Sequence, residues 1–485
     1  MDTKINNNKE LKLWEALIPV VALIGMLAFN VYIYGDASLG GSNQFVLLLG
    51  GAVAAIVGYF NKVSFHKMLD EVANNIKSTA GAILILLMVG ALAGTWMVSG
   101  IIPSMIYYGL QILSPAIFLP ATLIICSVIS IATGSSWTTS ATVGIALIGI
   151  GGALGFDLGM VAGAVISGAY FGDKLSPMSD TTNLAPAMAG TDLFTHIKYM
   201  TLTTIPTYII TLILFIILGL SIEVKGDVNT NELLTAITTS FNVSGWLFLV
   251  PVIVIGLIVK KTEPLVALLV GTLLAGIFAV IFQPQIINQI AGVETMDFKS
   301  AYKGVMDAIT SKVVVPTENK TLADLFTSGG MAKMLPTIWL ILCAMVFGGI
   351  MDAIGALARI SESLLKLAHT TFGLFASTVG SCLALNITAS DQYLAIVVPG
   401  KMFAKAYKDK GLAPENLSRT LEDTGTVTSV LVPWNTCGAY QAGTLGVSTL
   451  EYLPFAFFNI ISPFMTLIFA AFNIKIKQLV SSIKE

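Results

Sequence analysis

The feature that most restricts this chain is a series of almost uncharged apolar runs, most of them long enough to cross a lipid bilayer. The first, Ala16–Tyr34, runs nineteen residues without a Lys, Arg, Asp or Glu. A helix of about 20 apolar residues spans the hydrocarbon core. Comparable runs occupy Gln44–Phe60, Gly81–Ser99, Pro115–Ala132, Leu202–Leu220, Trp246–Val259, Pro264–Phe282, Leu335–Leu357, Phe372–Leu385 and Leu453–Phe472. Pieces that are short or interrupted by Gly, Pro and hydroxyl residues lie at Ser140–Leu154, Leu158–Gly172, Asp391–Pro399 and Thr424–Gly446. Composition agrees: 55% of the 485 residues are hydrophobic and 11% are charged, against about 25% charged in soluble domains. That excludes a cytosolic enzyme, a nucleic-acid binder and a disordered chain. The expected class is an all-α polytopic membrane protein with about 10–14 segments. The first run is too long for a signal-peptide core and lacks a small-residue cleavage site, so it is expected to be retained. The four cysteines stand apart in or beside apolar runs, with no disulfide or metal spacing.

Basic residues orient the spans, because cytoplasmic loops are rich in Lys and Arg. Lys4, Lys9 and Lys12 precede the first span, and Lys62, Lys67 and Lys77 follow the second. The loops 35–43 and 100–114 have no basic residue. Lys401, Lys405, Lys408, Lys410 and Arg419 form a late basic stretch, and Lys475, Lys477 and Lys484 close the chain. Both termini are therefore expected in the cytoplasm. The organisation that follows is a cytoplasmic tail (1–13), a first transmembrane repeat (14–221), an external connecting loop (222–244), a second, inverted repeat (245–474) and a cytoplasmic tail (475–485). The repeat rests on ordered echoes near an offset of 240–255. Gly94 and Gly100 echo Gly349 and Gly355; Ser136–Ser140 echoes Asn386–Asp391; Ser179–Asn183 echoes Glu422–Thr426. Inverted repeats with helices broken in matching places mark secondary transporters, with the site near the midplane.

Two pairs of polar clusters carry the chemistry. The first cluster contains Ser135, Ser136, Thr138 and Thr139 after Gly134, and its echo contains Asn386, Thr388, Ser390 and Asp391. Hydroxyls and freed carbonyls offer the hard oxygens that a small cation takes, and irregular backbone inside a membrane is tolerated only where it lines a cavity or is packed in protein. Small hydroxyl residues that merely let helices pack are the alternative. The second cluster holds Asp173 and Lys174, then Asp180, Thr181, Thr182 and Asn183 between Pro177 and Pro186. Its echo holds Glu422, Asp423, Thr424 and Thr426. Ionisable groups within membrane segments are costly and mark function. A plain helix cap is the competing account of Asp180, and Asp173 with Lys174 reads as a mutual pair or a cap. Asp423 is favoured over Glu422, because Glu422 and Arg419 can face the cytoplasm. His196 follows the second cluster and is an accessory candidate for a pH response. No Gly-Lys-Ser/Thr phosphate loop is present.

The run Gly172-Asp173-Lys174-Leu175-Ser176-Pro177-Met178-Ser179-Asp180-Thr181-Thr182-Asn183-Leu184-Ala185-Pro186 resembles the NhaC family of sodium/proton antiporters. The likeness continues through Thr191–Ile197, Gly94-Thr95-Trp96, Gly134–Thr139, Glu422–Thr426 and Pro433–Tyr440, and so covers nearly the whole chain. It implies an ion-transporter fold with inverted repeats that exchanges Na⁺ for H⁺ across a bacterial inner membrane. Asp180 and Asp423 match motif carboxylates and would form the Na⁺ region; Asp391 matches less securely. The family also includes exchangers of the malate/lactate kind, so a small carboxylate is the alternative cargo. Expected partners are Na⁺, H⁺ and the lipid bilayer, with no nucleic acid, no enzymatic activity and no cofactor beyond the transported ions. A homodimer is compatible with the sequence.

Overall fold

The computed structural model describes residues 11–34, 40–221, 230–317 and 326–479. Most of the expected N-terminal tail, the end of the C-terminal tail and positions 222–229 lie outside them. Among the described residues the only strands are Val313–Val314 and Thr327–Ser328, paired antiparallel; the rest is helix and turn. Eight helices are long and apolar enough to cross a membrane, and two further bent pairs qualify if each is one span. Only a third of the apolar window in Leu193–Ser221 is buried, with Ile209, Ile213, Ile217 and Leu220 exposed. In water such a surface would aggregate; in lipid it is solvated. The chain is a multi-pass membrane protein.

The functional part of the molecule consists of two helical hairpins and two broken helices. In the first hairpin, Pro115–Thr133 turns at Gly134 and Ser135 into a helix over 136–153, which is π-helical at Ser140–Gly144. In the second, Thr371–Thr388 turns at 389–391 into Gln392–Asp409. The first broken helix is Leu158–Leu175 followed by Asp180–Ala189. The second begins at Pro414–Leu421, passes through a π-helical turn at Glu422–Thr426, and resumes at Thr436–Leu445. Both tips need a left-handed residue, supplied by Gly134 (φ 69°) and Ser390 (φ 60°).

These turns recur along the chain. Left-handed residues pair as Gly100 with Gly355, Gly134 with Ser390, Gly155 with Gly411 and Gly190 with Gly446, each 255 or 256 positions apart. Helix caps pair at the same offset: Ser135 with Asp391, Ser179 with Asn435. Packing alternates between the halves as well. Ser42–Phe60 lies on Leu335–Ala353, and Pro264–Phe282 lies on Phe65–Val98. This corrects the expected echo. At the structural offset Asp180 corresponds to Thr436 and Asp423 to Ser167, so the two carboxylates are not counterparts of each other. Hydroxyl-rich strings align easily at a wrong register, whereas left-handed turns do not.

One expectation about connections also changes. The segment 222–244 is not simply a loop, because Thr230–Ser240 is a helix. Leu233, Ile237 and Phe241 recur at intervals of one turn and are buried, seating it against Ile101–Ile112. The amphipathic stretch before the third span is continuous with it in the first half, as Phe65–Val98. In the second half the corresponding region contains separate helices, Pro284–Ala291 and Phe298–Thr310.

Candidate functional site

Close packing of small residues sets the first broken helix against the first hairpin. A Cβ on Gly172 would lie 2.5 Å from the Ser127 carbonyl oxygen and 2.6 Å from the Ser130 Cβ. Gly168 meets the Leu123 carbonyl in the same way. This Gly-x-x-x-Gly face lets the two backbones touch and brings the next residue, Asp173, to the hairpin tip. There the Asp173 carboxylate accepts from the Ser136 N–H at 3.0 Å and the Ser136 hydroxyl at 2.6 Å. The negative charge sits at the start of the 136–153 helix, where the helix dipole favours it. Gly134 must remain glycine, because a Cβ would approach Met178 Cβ to 2.6 Å. The tip and the break at 176–179 therefore interlock.

Between them lies a cavity of about 620 Å³ lined by Thr133, Ser135, Ser136, Thr138, Asp173, Ser179, Asp180, Thr181, Gln392 and Tyr393, with the exposed Lys261 and Glu263. Asp173, Asp180 and Glu263 outweigh Lys261, so the lining is net acidic. Asp180 is exposed to this cavity, and its carboxylate accepts from the Tyr393 hydroxyl at 2.7 Å. The cap of its helix is Ser179, which accepts from the Thr182 N–H. Capping therefore does not explain Asp180. Ser135 caps the 136–153 helix by accepting from the Thr138 N–H, and Thr139 donates to the Ser135 carbonyl. Thr182 donates to the Asp173 and Lys174 carbonyls, and Asn183 closes the 177–179 turn. Of the first cluster, only Gly134 and Ser135 are non-helical; Ser136–Thr139 is already a helix.

Behind the cavity is a buried ionic core. Asp173 and Lys174 do not pair with each other. Lys174, wholly buried, forms an ion pair with Asp423 from the second broken helix. The second Asp423 oxygen accepts from Thr203, at 2.8 Å, and from Thr466. Glu422 points the other way and accepts from the Thr181 hydroxyl at 3.0 Å. Glu422 and Arg419 are both fully buried rather than facing the cytoplasm, because the second broken helix runs through the interior. His196 is buried, with Nδ1 2.8 Å from the Ser418 hydroxyl.

The second hairpin tip is built differently. Asn386 donates to the Gly425 carbonyl at 2.9 Å and to the Thr428 hydroxyl at 3.0 Å, and Asn435 donates back to the Asn386 carbonyl at 3.1 Å. Asp391 accepts from the Tyr393 and Leu394 N–H groups and caps Gln392–Asp409. Thr388 bonds the Ala384 carbonyl within its helix, and the Ser390 carbonyl accepts from the Thr436 N–H. This twin of the first tip is closed by amides, and Thr436 and Ser429 stand where the first has Asp180 and Asp173. Asn386 and Thr388 are helical, the outcome opposite to the expected irregular backbone. Thr424 and Thr426 lie in the π-helical turn, buried, and their hydroxyls have no hydrogen-bond partner.

Sequence reasoning passed over Tyr393, Thr203 and Thr466. A signal for Thr203 existed: Thr203, Thr207 and Thr211 repeat every four residues inside an apolar run, and all three are buried. Tyr393 and Thr466 have no such sequence mark.

Residues 168–474 match the model of the Na⁺/H⁺ antiporter family. The Na⁺/H⁺ antiporter NhaC of Alkalihalophilus pseudofirmus is 38% identical over 425 residues, covering 87% of this chain and 88% of that protein. NhaC of Bacillus subtilis is 37% identical over 399 residues, covering 82% and 85%. The malate-2H⁺/Na⁺-lactate antiporter of Bacillus subtilis is 36% identical over 461 residues, covering 94% of each. On the strength of both the family match and these full-length likenesses, the chain belongs to the Na⁺/H⁺ antiporter family.

Proposed function

We propose that the protein exchanges Na⁺ for H⁺ across the bacterial inner membrane, with both termini in the cytoplasm and the two halves inverted. The observation that carries this reading is the acidic cavity at the first hairpin tip. Asp173 and Asp180 line it, and the Thr181 hydroxyl links it to the buried Glu422. Oxygen ligands of this kind suit a hard monovalent ion. A carboxyl group that holds a proton cannot also ligate Na⁺, so each ion displaces the other, which is the coupling an exchanger requires. Family membership and the names of the NhaC relatives support the same ions.

A small carboxylate as additional cargo is the second reading, raised by the malate/lactate relative. The cavity is large enough for one, but its net acidic lining disfavours an anion entering alone. Purified protein in proteoliposomes tests both. An imposed Na⁺ gradient should drive proton movement without malate or lactate. If movement appears only when one of these acids is supplied, the carboxylate reading replaces the simpler one.

A further inference from the structure

The two neighbouring carboxylates of the second broken helix are in opposite states. Asp423 has partners at both oxygens: one faces the Lys174 ammonium and the other accepts from Thr203 and Thr466. Glu422 uses one oxygen, Oε1, towards Thr181, while Oε2 is buried and has no partner. A carboxylate oxygen held away from water without a partner is costly. The Lys174 ammonium, paired with Asp423, acts on Glu422 through its charge but makes no hydrogen bond to it. The Thr426 hydroxyl, one turn along, is likewise buried and approaches the same carboxylate. The turn that presents these residues is π-helical, an irregularity found mostly at functional positions.

We propose that Glu422, with the hydroxyls of Thr181 and Thr426, forms an inner Na⁺ site one side chain behind the wall of the acidic cavity, and that Asp423 is the fixed counter-charge of Lys174. Thr181 lines the cavity and touches Glu422, so it connects the two compartments. Asp173 and Asp180 then act as the outer, water-accessible station. The charges acting on Glu422 come from Lys174 and Asp173 on the first broken helix; the buried Arg419 and Asp423 lie on its own helix, and Asp180 is next to Thr181. The adjoining helices Thr371–Thr388 and Phe457–Ala471 contain no charged residue, and the lysines of Gln392–Asp409 are exposed. This inference deepens the exchange reading and rests on it only for the identity of the ion.

Thermal unfolding of the purified protein in detergent, titrated with NaCl against choline chloride at equal ionic strength, tests the site without requiring transport. Ligand binding to the folded state raises the Tm by mass action. The wild type should show a Na⁺-specific rise that Glu422→Gln abolishes. Thr426→Val should increase the half-saturating Na⁺ concentration about tenfold, the equivalent of one good ligand, and Thr426→Ser should restore it. A wild type indifferent to Na⁺, or a Glu422→Gln protein with an unchanged Na⁺ response, overturns the site. Proteoliposome flux separates this from the exchange reading. A Na⁺-dependent Tm that needs Glu422, without Na⁺-driven proton flux, removes the exchange reading alone. Exchange at the wild-type Na⁺ dependence in Glu422→Gln removes the inner site alone.

Discussion

At the residue scale, Asp180 and the Lys174–Asp423 pair represent two different uses of charge. Asp180 is exposed to the cavity and bonded only through the Tyr393 hydroxyl, while Ser179 caps its helix. Asp180→Asn keeps an acceptor for Tyr393 but removes the charge. Its stability should change by less than about 0.5 kcal/mol, as for other substitutions away from a core. Na⁺-driven proton flux in vesicles should nevertheless fall at least about tenfold; wild-type flux would demote Asp180 to a bystander. Lys174 and Asp423 behave oppositely, because both are almost wholly buried. Lys174→Met leaves Asp423 charged and unpaired, which should destabilise by about 3–5 kcal/mol. Adding Asp423→Asn removes the orphan charge and should recover much of that loss. Thermal unfolding of the single and double variants measures the coupling; additive losses would show that the pair is not an ion pair in the membrane-embedded protein.

At the element scale, the two hairpin tips share one backbone solution with different residues. Gly134 takes its left-handed φ without a Cβ, and the space a Cβ would need is occupied by Met178 and the Ser179 nitrogen. Gly134→Ala therefore combines backbone strain with a clash and should destabilise by more than about 1 kcal/mol. Ser390 adopts the same conformation with a side chain whose hydroxyl is buried and unpartnered. Ser390→Gly relieves the left-handed strain and should be neutral or stabilising by up to about 1 kcal/mol. Comparing the Tm of the two variants checks both signs. A tolerated Gly134→Ala would mean that tip and helix break do not interlock as described.

At the scale of the whole molecule, the outstanding question is which surface faces the cytoplasm. The exposed basic residues Lys62, Lys261 and Lys475 lie at turns next to helix ends, and Ser114 and Ser448 stand at the N-caps of two helices. The native cysteines are all buried, so single introduced cysteines should report cleanly. Lys62→Cys and Lys475→Cys should react with a membrane-impermeant maleimide only after cells are permeabilised. Ser114→Cys and Ser448→Cys should react in intact cells. Labelling of Lys475→Cys from outside would invert the second half of the orientation and break the matched-halves arrangement.

Long apolar runs, basic loops and turn residues act locally, and they were sufficient to determine most of the helices and the broken character of the chain around 134, 177, 390 and 433. They also marked Asp180, Asp423 and Asp391 as candidate carboxylates, with Asp173 and Glu422 as accessories, since an ionisable group in an apolar run stands out in any window. What each carboxylate does depends on partners more than two hundred residues away. Lys174 reaches Asp423, Thr181 reaches Glu422, and Tyr393 reaches Asp180. No sequence window contains both members of these pairs. The sequence therefore favoured Asp423 over Glu422, and only the packing of the two broken helices decided that Asp423 is neutralised by a lysine while Glu422 retains a free oxygen. The register of the echoes was decided in the same way. Hydroxyl-rich strings match at several offsets, but left-handed turns and caps occupy fixed places in a packed fold, and they pair Asp180 with a threonine rather than with a second carboxylate.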